Sequence, residues 1–340
     1  MSKTYKVAVV GCDTLVGEAV LTLLEERKFP LESIHAVAEE AGGRVSFKDR
    51  HLVVEPLEQF DFSQVELAFF AIDEALSEEY APKAAEVGCV VIDDSPCFRL
   101  EDDVPLVAAD VNPEAIADYA KQNIIANPGT NATLLTTVLK PLQDAVGIAR
   151  INLVALQAVS GKDKAGVEEL ANQSTAMFNL KPIENEVFEK QIAFNILPQI
   201  GAILDDGYSR EESKLAWESA KIFSREELPV NTTCVRVPVF HGHSMVVNVE
   251  TEQPISEERA RELLEDSPSI KLMLDDIPTP VTDAAGEDAV FVGRLRQDST
   301  HAQGLDLWLV ADNVRMGAAL NSVKIAEILI QRYLNQVSGK

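Results

Sequence analysis

Residues 6–29 of this 340-residue chain read KVAVVGCDTLVGEAVLTLLEERKF and set the class of its fold. The segment opens on a valine-rich apolar run, and Gly11 and Gly17 bracket the turn that follows. From Leu15 onward the apolar side chains recur at helical spacing. The pattern therefore predicts a strand, a tight turn and a helix, which together form one βα unit.

The alternation of strand and helix continues through the first 129 residues. Short apolar runs recur at residues 32–38, 66–72 and 89–95, and helix-like stretches such as 77–87 lie between them. Such alternation is typical of an α/β domain whose mostly parallel sheet is covered by helices on both faces.

The pattern changes after residue 129. Long strand-like runs at 150–161, 232–250 and 288–297 are separated by polar stretches with helical character. This arrangement predicts a second domain of the α+β type. The stretch at 312–336 is predicted to form a long amphipathic helix that fits either domain.

Composition and charge exclude several classes of protein. The chain is 46% hydrophobic and 25% charged, which indicates a folded globular protein. Its formal net charge of −25 repels nucleic-acid backbones and anionic lipid headgroups. The start lacks the basic, apolar and small-residue order of a signal peptide, so we expect a cytoplasmic protein. The four scattered cysteines predict neither a disulfide framework nor a zinc site.

The glycine turn is a candidate for binding a dinucleotide. In such turns the backbone N–H groups and the helix N-terminus approach a pyrophosphate closely. The candidate cofactor-binding residues here are Gly11, Thr14, Leu15, Val16 and Gly17. Thr14 occupies the middle glycine position, where a side chain would crowd the phosphates. The alternative is a bare turn that needs glycine only for its backbone angles.

Glu39 is a candidate for binding a ribose. It lies 22 residues after Gly17, at the end of the second predicted strand. An acidic side chain there accepts a hydrogen bond from a ribose 2′-OH, which favours NAD over NADP. Arg44 is close enough in sequence to oppose that preference, and a solvated carboxylate at a strand end is an equal alternative.

Segments spread over nearly the whole chain resemble the aspartate-semialdehyde dehydrogenase family. They include GCDTLVGEAVLTLLEERKFP at 11–30, IIANPGTNATLLTTVLKPL at 124–142, IAFNILPQIG at 192–201, RVPVFHGHS at 236–244 and VADNVRMGAALNSVKIAEIL at 310–329. The resemblance implies a Rossmann-like NAD(P)-binding domain at 1–129 and 313–340. It also implies an α+β catalytic and dimerisation domain of the glyceraldehyde-3-phosphate-dehydrogenase-like type at 130–312, and a homodimer.

The same resemblance implies the reductive dephosphorylation of aspartyl phosphate by NADPH through a cysteine thioester. The family's cysteine ends an Asn-Pro-Asn-Cys segment, whereas residues 127–130 read Asn-Pro-Gly-Thr here. Thr130 therefore stands in the place of the nucleophile. A thiol is easily deprotonated near neutral pH, whereas an alkanol hydroxyl needs a positioned base. Cys97 is the nearest other cysteine and is interpreted as a small buried hydrophobe.

The other site residues follow from the resemblance. It implies that His243 is the general base, that Gln157 orients the acyl intermediate and that Arg236 pairs with the substrate carboxylate. It assigns Arg99 and Lys214 to the substrate phosphate. Ordinary surface salt bridges are the alternative, because Glu211 lies one helical turn before Lys214. Arg236 and His243 are seven residues apart on one strand-like run, so a bend at Gly242 is needed to bring them together.

Several positions depart from the family pattern. They are Asp73 and Glu74 in place of a small-residue turn, Asp94, Ser95 and Pro96 after the fourth run, Lys162 and Asp163 in a small-residue loop, and Met316 in place of a basic residue. A carboxylate that faces a pyrophosphate disfavours its binding.

These departures predict a family member that has lost the standard dehydrogenase chemistry and keeps the fold, the dimer and a pocket for a small anionic metabolite. Binding of NAD or NADP is then weakened or lost, and no metal is implied. Two alternatives stay open. In one, Thr130 and His243 act as nucleophile and base on an acyl or phosphoryl substrate; in the other, the chain remains a working NAD(P)-dependent dehydrogenase. A mixed dimer with an active relative is a further expectation.

Overall fold

The computed structural model describes residues 3–334 and divides the chain into two compact units. The first unit comprises Met1–Gly129 and Ala318–Lys340, and the second comprises Thr130–Gly317. The chain rejoins the first unit at Ala318 instead of at the predicted residue 313. The reason is that Asn313 is tied into the second unit, where its side-chain oxygen accepts hydrogen bonds from Ser160 and Gly242.

Thirteen strands and seven α-helices make up most of the two units within residues 3–334. In chain order, the strands are β1 (Tyr5–Val10), β2 (Leu31–Ala38), β3 (Arg44–Phe47), β4 (Arg50–Pro56), β5 (Leu67–Phe70), β6 (Val90–Asp93), β7 (Ile124–Ala126), β8 (Ile148–Gln157), β9 (Val230–Arg236), β10 (His243–Thr251), β11 (Ile270–Met273), β12 (Val290–Gln297) and β13 (Gly304–Ala311). The α-helices are α1 (Leu15–Glu26), α2 (Glu74–Glu86), α3 (Thr130–Val146), α4 (Asp163–Phe178), α5 (Arg210–Ile222), α6 (Glu257–Glu265) and α7 (Leu320–Leu329).

The first unit is built on a seven-stranded sheet in the order β3-β4-β2-β1-β5-β6-β7. All neighbouring strands are parallel except β3 and β4, which confirms the predicted mostly parallel sheet. Strand β1 is buried along most of its length and pairs with β2 on one side and β5 on the other. The strand order reverses here, so the carboxyl ends of β1 and β5 form the crevice where open α/β sheets bind nucleotides.

Helix α7 packs on the first unit although it lies at the end of the chain. The buried Asn321 side chain donates to the carbonyl of Val107 at 2.8 Å and to Asn127 Oδ1 at 2.5 Å, and it accepts from the N–H of Ala109 at 2.8 Å. Arg27 forms a two-pronged pair with Glu327, with N–O distances of 2.9 and 2.7 Å. These contacts make the closing helix an integral part of the first unit.

The second unit contains a six-stranded mixed sheet in the order β11-β12-β13-β10-β8-β9. Strand β8 is parallel to β9 and antiparallel to β10. The strand-like run at 232–250 forms two strands on opposite sides of β8, and the chain reverses at Gly242, where the sequence called for a bend. Pro238 cannot donate to a ladder, and Gly242 reverses the chain with a φ of +92°. No helix among residues 3–334 is both long and apolar enough to cross a membrane.

Candidate functional site

Three of the predicted catalytic and substrate residues lie side by side at one edge of the second unit's sheet. Gln157, the last residue of β8, is paired with Arg236, the last residue of β9. On the other side of β8, Ser244 is paired with Leu156, which places His243 at the same edge. Because the chain reverses at Gly242, Arg236 on β9 and His243 on β10 lie on opposite sides of β8. Their spacing of seven residues does not separate them.

The backbone of Ala158 orients both side chains. Its carbonyl accepts a hydrogen bond from Arg236 Nη1 at 2.7 Å, and its N–H donates to His243 Nδ1 at 3.2 Å. A Cβ atom at Gly161 would lie 2.6 Å from Arg236 Nη1 and 3.5 Å from His243 Cε1. The guanidinium and the imidazole therefore converge beside Gly161, and both are only 3% exposed.

Burial sets the charges of these two groups. Burial, and then the nearby positive charge of Arg236, lower the pKa of His243 to about 3, against the opposing effect of Glu211. Burial also lowers the pKa of Arg236 to about 10, which leaves the guanidinium charged at neutral pH. The edge of the sheet thus carries a neutral imidazole next to a cation.

Glu211 links the remaining predicted residues of the second unit. Its Oε1 accepts from Gln157 Nε2 at 3.0 Å and from Asn131 Nδ2 at 3.4 Å, and its Oε2 lies 3.5 Å from Lys214 Nζ. The sequence indicated only the pairing with Lys214 and missed Glu211 as part of the site. Helix α5 begins with a capping box at Ser209, a local signal that fixes Glu211 in its first turn.

Thr130, which the sequence comparison with the family predicts to stand in the place of the nucleophile, is the first residue of α3. Its hydroxyl donates to the backbone carbonyl of Asn313 at 3.0 Å. Within the described part of the chain, Thr130 forms no hydrogen bond with His243. The hydroxyl proton of Thr130 is instead directed to the carbonyl of Asn313.

The glycine turn of the first unit has the close packing expected of it. Gly11 adopts a φ of +81°, and a Cβ atom there would lie 2.2 Å from the carbonyl oxygen of Ala71. Thr14 is the N-cap of α1: its hydroxyl oxygen accepts from the N–H of Gly17 at 3.0 Å. The single proton of the same hydroxyl is shared between the carbonyls of Gly11 at 2.8 Å and Ala71 at 3.2 Å. Leu15 and Val16 form the first turn of α1.

Acidic residues follow the strands on both sides of β1. Asp73 is the N-cap of α2, where its carboxylate accepts from the N–H of Leu76 at 2.9 Å, and Glu74 lies in the first turn. Glu39 directly follows β2 and is exposed. Residues 71–73 adjoin the glycine turn, since a Cβ atom at Gly11 would also lie 2.9 Å from Ile72 Cγ2.

Arg99 belongs to the first unit, whereas Lys214 and Arg236 belong to the second. Arg99 is buried, and its Nη2 donates to the carbonyl of Asp94 at 2.6 Å. The neighbouring Asp93 carboxylate is also buried and accepts from Ser77 Oγ at 2.5 Å and Ser95 Oγ at 2.7 Å. Burial raises the pKa of Asp93 in spite of these hydrogen bonds.

The cysteines of the described residues are free thiols. Cys97 is half-buried instead of fully buried, and desolvation followed by the charge of Asp93 raises its pKa to about 11. Within residues 3–334, no group of three or more His, Cys, Asp and Glu side chains is arranged to hold a metal ion.

The fold and these site residues define a class of two-domain protein in which an NAD-binding domain precedes a dimerisation domain. The family model described as "Semialdehyde dehydrogenase, NAD binding domain" matches residues 6–119. The model described as "Semialdehyde dehydrogenase, dimerisation domain" matches residues 139–316.

Curated relatives and solved structures narrow this class. An aspartate-semialdehyde dehydrogenase from Shewanella sp. is 47% identical over 337 residues, covering 98% of this chain and 100% of the relative. Aspartate-semialdehyde dehydrogenase 2 of Vibrio cholerae is 48% identical over 336 residues, covering 98% and 100%. The crystal structure of aspartate semialdehyde dehydrogenase II complexed with ASA from Vibrio cholerae has a TM-score of 0.96 at 47% identity and covers 98% and 100% of the two chains. The chain belongs to the aspartate-semialdehyde dehydrogenase family.

Proposed function

We propose that this chain has lost the standard dehydrogenase chemistry of its family and binds a small anionic metabolite without forming a thioester. The observation that carries the proposal is Thr130 at the start of α3, with its hydroxyl donated to the carbonyl of Asn313. An alcohol at this position remains protonated without a base to remove its proton. The ester that it would form is also less activated toward hydride than a thioester.

The pKa values of other cysteines support the loss of a thiolate. Burial raises the pKa of Cys89 and of Cys234 to about 12. Desolvation and nearby carboxylates raise the pKa of Cys97 to about 11. Each of these thiols stays protonated at neutral pH, whereas a nucleophilic cysteine needs a lowered pKa.

The second unit supports binding of a small anion. Arg236 provides a charged fork of five N–H donors, one of which donates to the Ala158 carbonyl. A cavity of about 560 Å³ is lined by three cations, Arg236, Lys162 and Lys190, and by one carboxylate, Glu189. The amides of Asn195 and Gln199 and several apolar residues complete the lining. A carboxylate or phosphate suits this combination of a planar fork and point charges.

We propose further that NAD or NADP binds weakly or not at all. The hydroxyl of Thr14 accepts the Gly17 N–H, one of the donors that a helix N-terminus offers to a phosphate. It also ties the turn to the end of β5 through Ala71. Asp73 and Glu39 add negative charge at the ends of the strands that flank β1.

A homodimer is part of the proposal, because the second unit matches a dimerisation domain. Phe178, Leu180 and Phe194 are exposed by 79%, 95% and 66%. The two phenylalanine rings form an edge-to-face pair with centroids 5.8 Å apart. Exposed apolar patches of this kind are typical of protein interfaces. Light scattering should give a mass of about twice 37.1 kDa, and a monomer mass at micromolar concentration would refute the dimer.

The loss of dehydrogenase chemistry is tested by supplying the purified protein with aspartate semialdehyde, phosphate and either NAD or NADP. The assay measures the rate at which the reduced nicotinamide forms. We expect no turnover by the natural chain. Thr130→Cys run beside it shows whether only the nucleophile is missing, and Thr130→Cys combined with Thr14→Gly shows whether the glycine turn also limits cofactor binding. Clear turnover by the natural chain would refute the proposal and favour a working dehydrogenase.

A further inference from the structure

The loop that follows β6 carries Arg99 and is fixed at several points. Arg99 Nη2 donates to the carbonyl of Asp94 at 2.6 Å. The N–H of Asp94 donates to the carbonyl of Phe70 at 2.9 Å, which extends the pairing of β6 with β5. The Asp93 carboxylate accepts from Ser95 Oγ at 2.7 Å and from the N–H of Ser95 at 3.2 Å. The guanidinium of Arg99 is therefore attached to a backbone of fixed conformation.

The carboxylate of Asp94 is held near this guanidinium. Its Oδ1 accepts from Asn127 Nδ2 at 2.6 Å. Asn127 is fully buried, and its own Oδ1 accepts from Asn321 Nδ2 at 2.5 Å. A carboxylate stays within about 5 Å of the carbonyl oxygen of its own residue, so the Asp94 carboxylate lies within about 8 Å of Arg99 Nη2. Salt at about 0.1 M does not fully screen two charges at that distance.

The surroundings of this loop are negative. Desolvation and then four nearby carboxylates raise the pKa of Cys97, two residues before Arg99, to about 11. The four carboxylates belong to Asp93, Glu78, Glu74 and Glu101. A thiolate and a bound anion are both negative, so the same carboxylates disfavour an anion at the loop.

Asp94 sets the balance of charge at Arg99. Burial raises the pKa of Asp93, against the opposing effects of its hydrogen bonds and of the charge of Arg99. If Asp93 is protonated, the Asp94 carboxylate alone balances the guanidinium. If Asp93 is ionised, two carboxylates act on one cation. In both states of Asp93, the charge of Asp94 removes the net attraction that Arg99 would exert on an anion.

We propose that Asp94 is a specificity-determining residue that excludes phosphate from Arg99. The side chain departs from the serine-rich segment of the family, so this exclusion belongs to the present chain and not to the family. A phosphate at Arg99 would lose part of its hydration without gaining a net positive charge in return. The inference extends the proposed loss of dehydrogenase chemistry, in which phosphate is a reactant, and it rests on that proposal for the identity of the excluded ligand.

Calorimetry of the ligand-free, full-length protein with inorganic phosphate tests the exclusion. Asp94→Asn removes the charge and keeps an oxygen that can accept from Asn127 Nδ2. We expect it to bind phosphate about tenfold more tightly than the natural chain, the effect of one charge several ångströms away. Asp102→Asn is the matched control, because Asp102 is exposed and the net charge changes equally. Equal affinity in Asp94→Asn and the natural chain, including no binding by either, would overturn the proposal, as would an equal gain in Asp102→Asn.

Arg99→Gln locates the effect. In that background Asp94→Asn should no longer tighten phosphate binding. A gain that persists would place the phosphate at another cation, such as Arg236, and would overturn the proposal. Turnover in the nicotinamide assay would refute the proposed loss of chemistry but would leave these affinities unchanged, so the two failures are distinguishable.

A second measurement covers the case in which Arg99→Gln does not fold, which circular dichroism would reveal. NMR of ¹⁵N-labelled arginine side chains follows the guanidinium of Arg99 directly, and Arg99→Lys, which keeps the charge, identifies its signal. Phosphate should shift this signal in Asp94→Asn and leave it in place in the natural chain. An Arg99 signal that responds equally in both proteins, or in neither, would overturn the proposal.

Discussion

Asp163, the first residue of α4, adopts a backbone conformation that suits glycine. Its φ is +54° and its ψ is −158°, a region that residues with a side chain rarely occupy. The residue is one of the departures from the family's small-residue loop noted in the sequence. A conformation of this kind costs about 1–3 kcal/mol. We predict that Asp163→Gly is more stable than Asp163→Ala, which keeps a side chain in this conformation.

The size of the effect follows from three contributions, one that favours Asp163→Gly and two that oppose it. Asp163→Gly removes the strain of the folded backbone. Glycine also gives the unfolded chain more conformational freedom, which lowers the stability of the fold by about 0.5–1 kcal/mol. The carboxylate also lies in the first turn of α4, where a negative charge contributes about 0.3–1 kcal/mol. Asp163→Ala loses the same charge and keeps the strained backbone, which makes it the matched control. Asp163→Gly should therefore exceed Asp163→Ala in stability by about 1–2 kcal/mol, with the strain cost as the cause.

Urea unfolding measures this difference. We expect the midpoint of Asp163→Gly to lie above that of Asp163→Ala, with the same dependence of the unfolding free energy on urea in both variants. An Asp163→Gly variant no more stable than Asp163→Ala would show that the backbone at this position is unstrained.

Three other contacts can be tested by substitution or by pH. Gly161→Ala adds a Cβ atom 2.6 Å from Arg236 Nη1 and should weaken binding of the probe anion succinate at least about tenfold in calorimetry. Gly43→Ala, where the added Cβ atom meets only Val54 Cγ2 at 3.6 Å, controls for general effects and should bind normally. The pKa of His243 is about 3 in the folded protein and about 6.5 when unfolded, so the unfolded state binds the extra proton and stability falls as the pH falls below 6.5. Between pH 6.5 and 5 this costs about 2 kcal/mol, a loss that urea titrations of His243→Gln should lack. Asn321→Ala leaves the N–H of Ala109 and the carbonyl of Val107 without their partner and should destabilise the first unit by about 3 kcal/mol. Limited proteolysis followed by mass spectrometry should then show earlier cleavage within residues 3–129, and unchanged resistance would contradict the role of Asn321.

The first sheet was predictable because its strands are buried on both faces. Such strands are continuous apolar runs, as in β1 and β5, and the glycine turn marks where the first of them ends. The second sheet was less accessible from the sequence. Pro238 and Gly242 lie inside an apolar run, and only pairing with the distant β8 shows that the run is two strands.

The sequence predicted which residues form the candidate site, but it did not predict the long-range contacts that orient them. Gln157, Arg236 and His243 were identified from the family resemblance, but no local pattern indicates that Ala158 orients two of them. Glu211 was interpreted only as the partner of Lys214, because its contact with Gln157 spans 54 residues. For Thr14, the residue type does not reveal that its hydroxyl is bonded to the backbone of its own turn.

The return of α7 to the first unit has a consequence for the order of events during synthesis. Domains generally fold as they emerge from the ribosome, the N-terminal one first. Here the partner of Val107 and Ala109 is Asn321, which is translated only after the whole of the second unit. The domain that begins the chain is therefore the last to be completed, and the Val107 carbonyl and the Ala109 N–H lack their native partner until the final helix arrives.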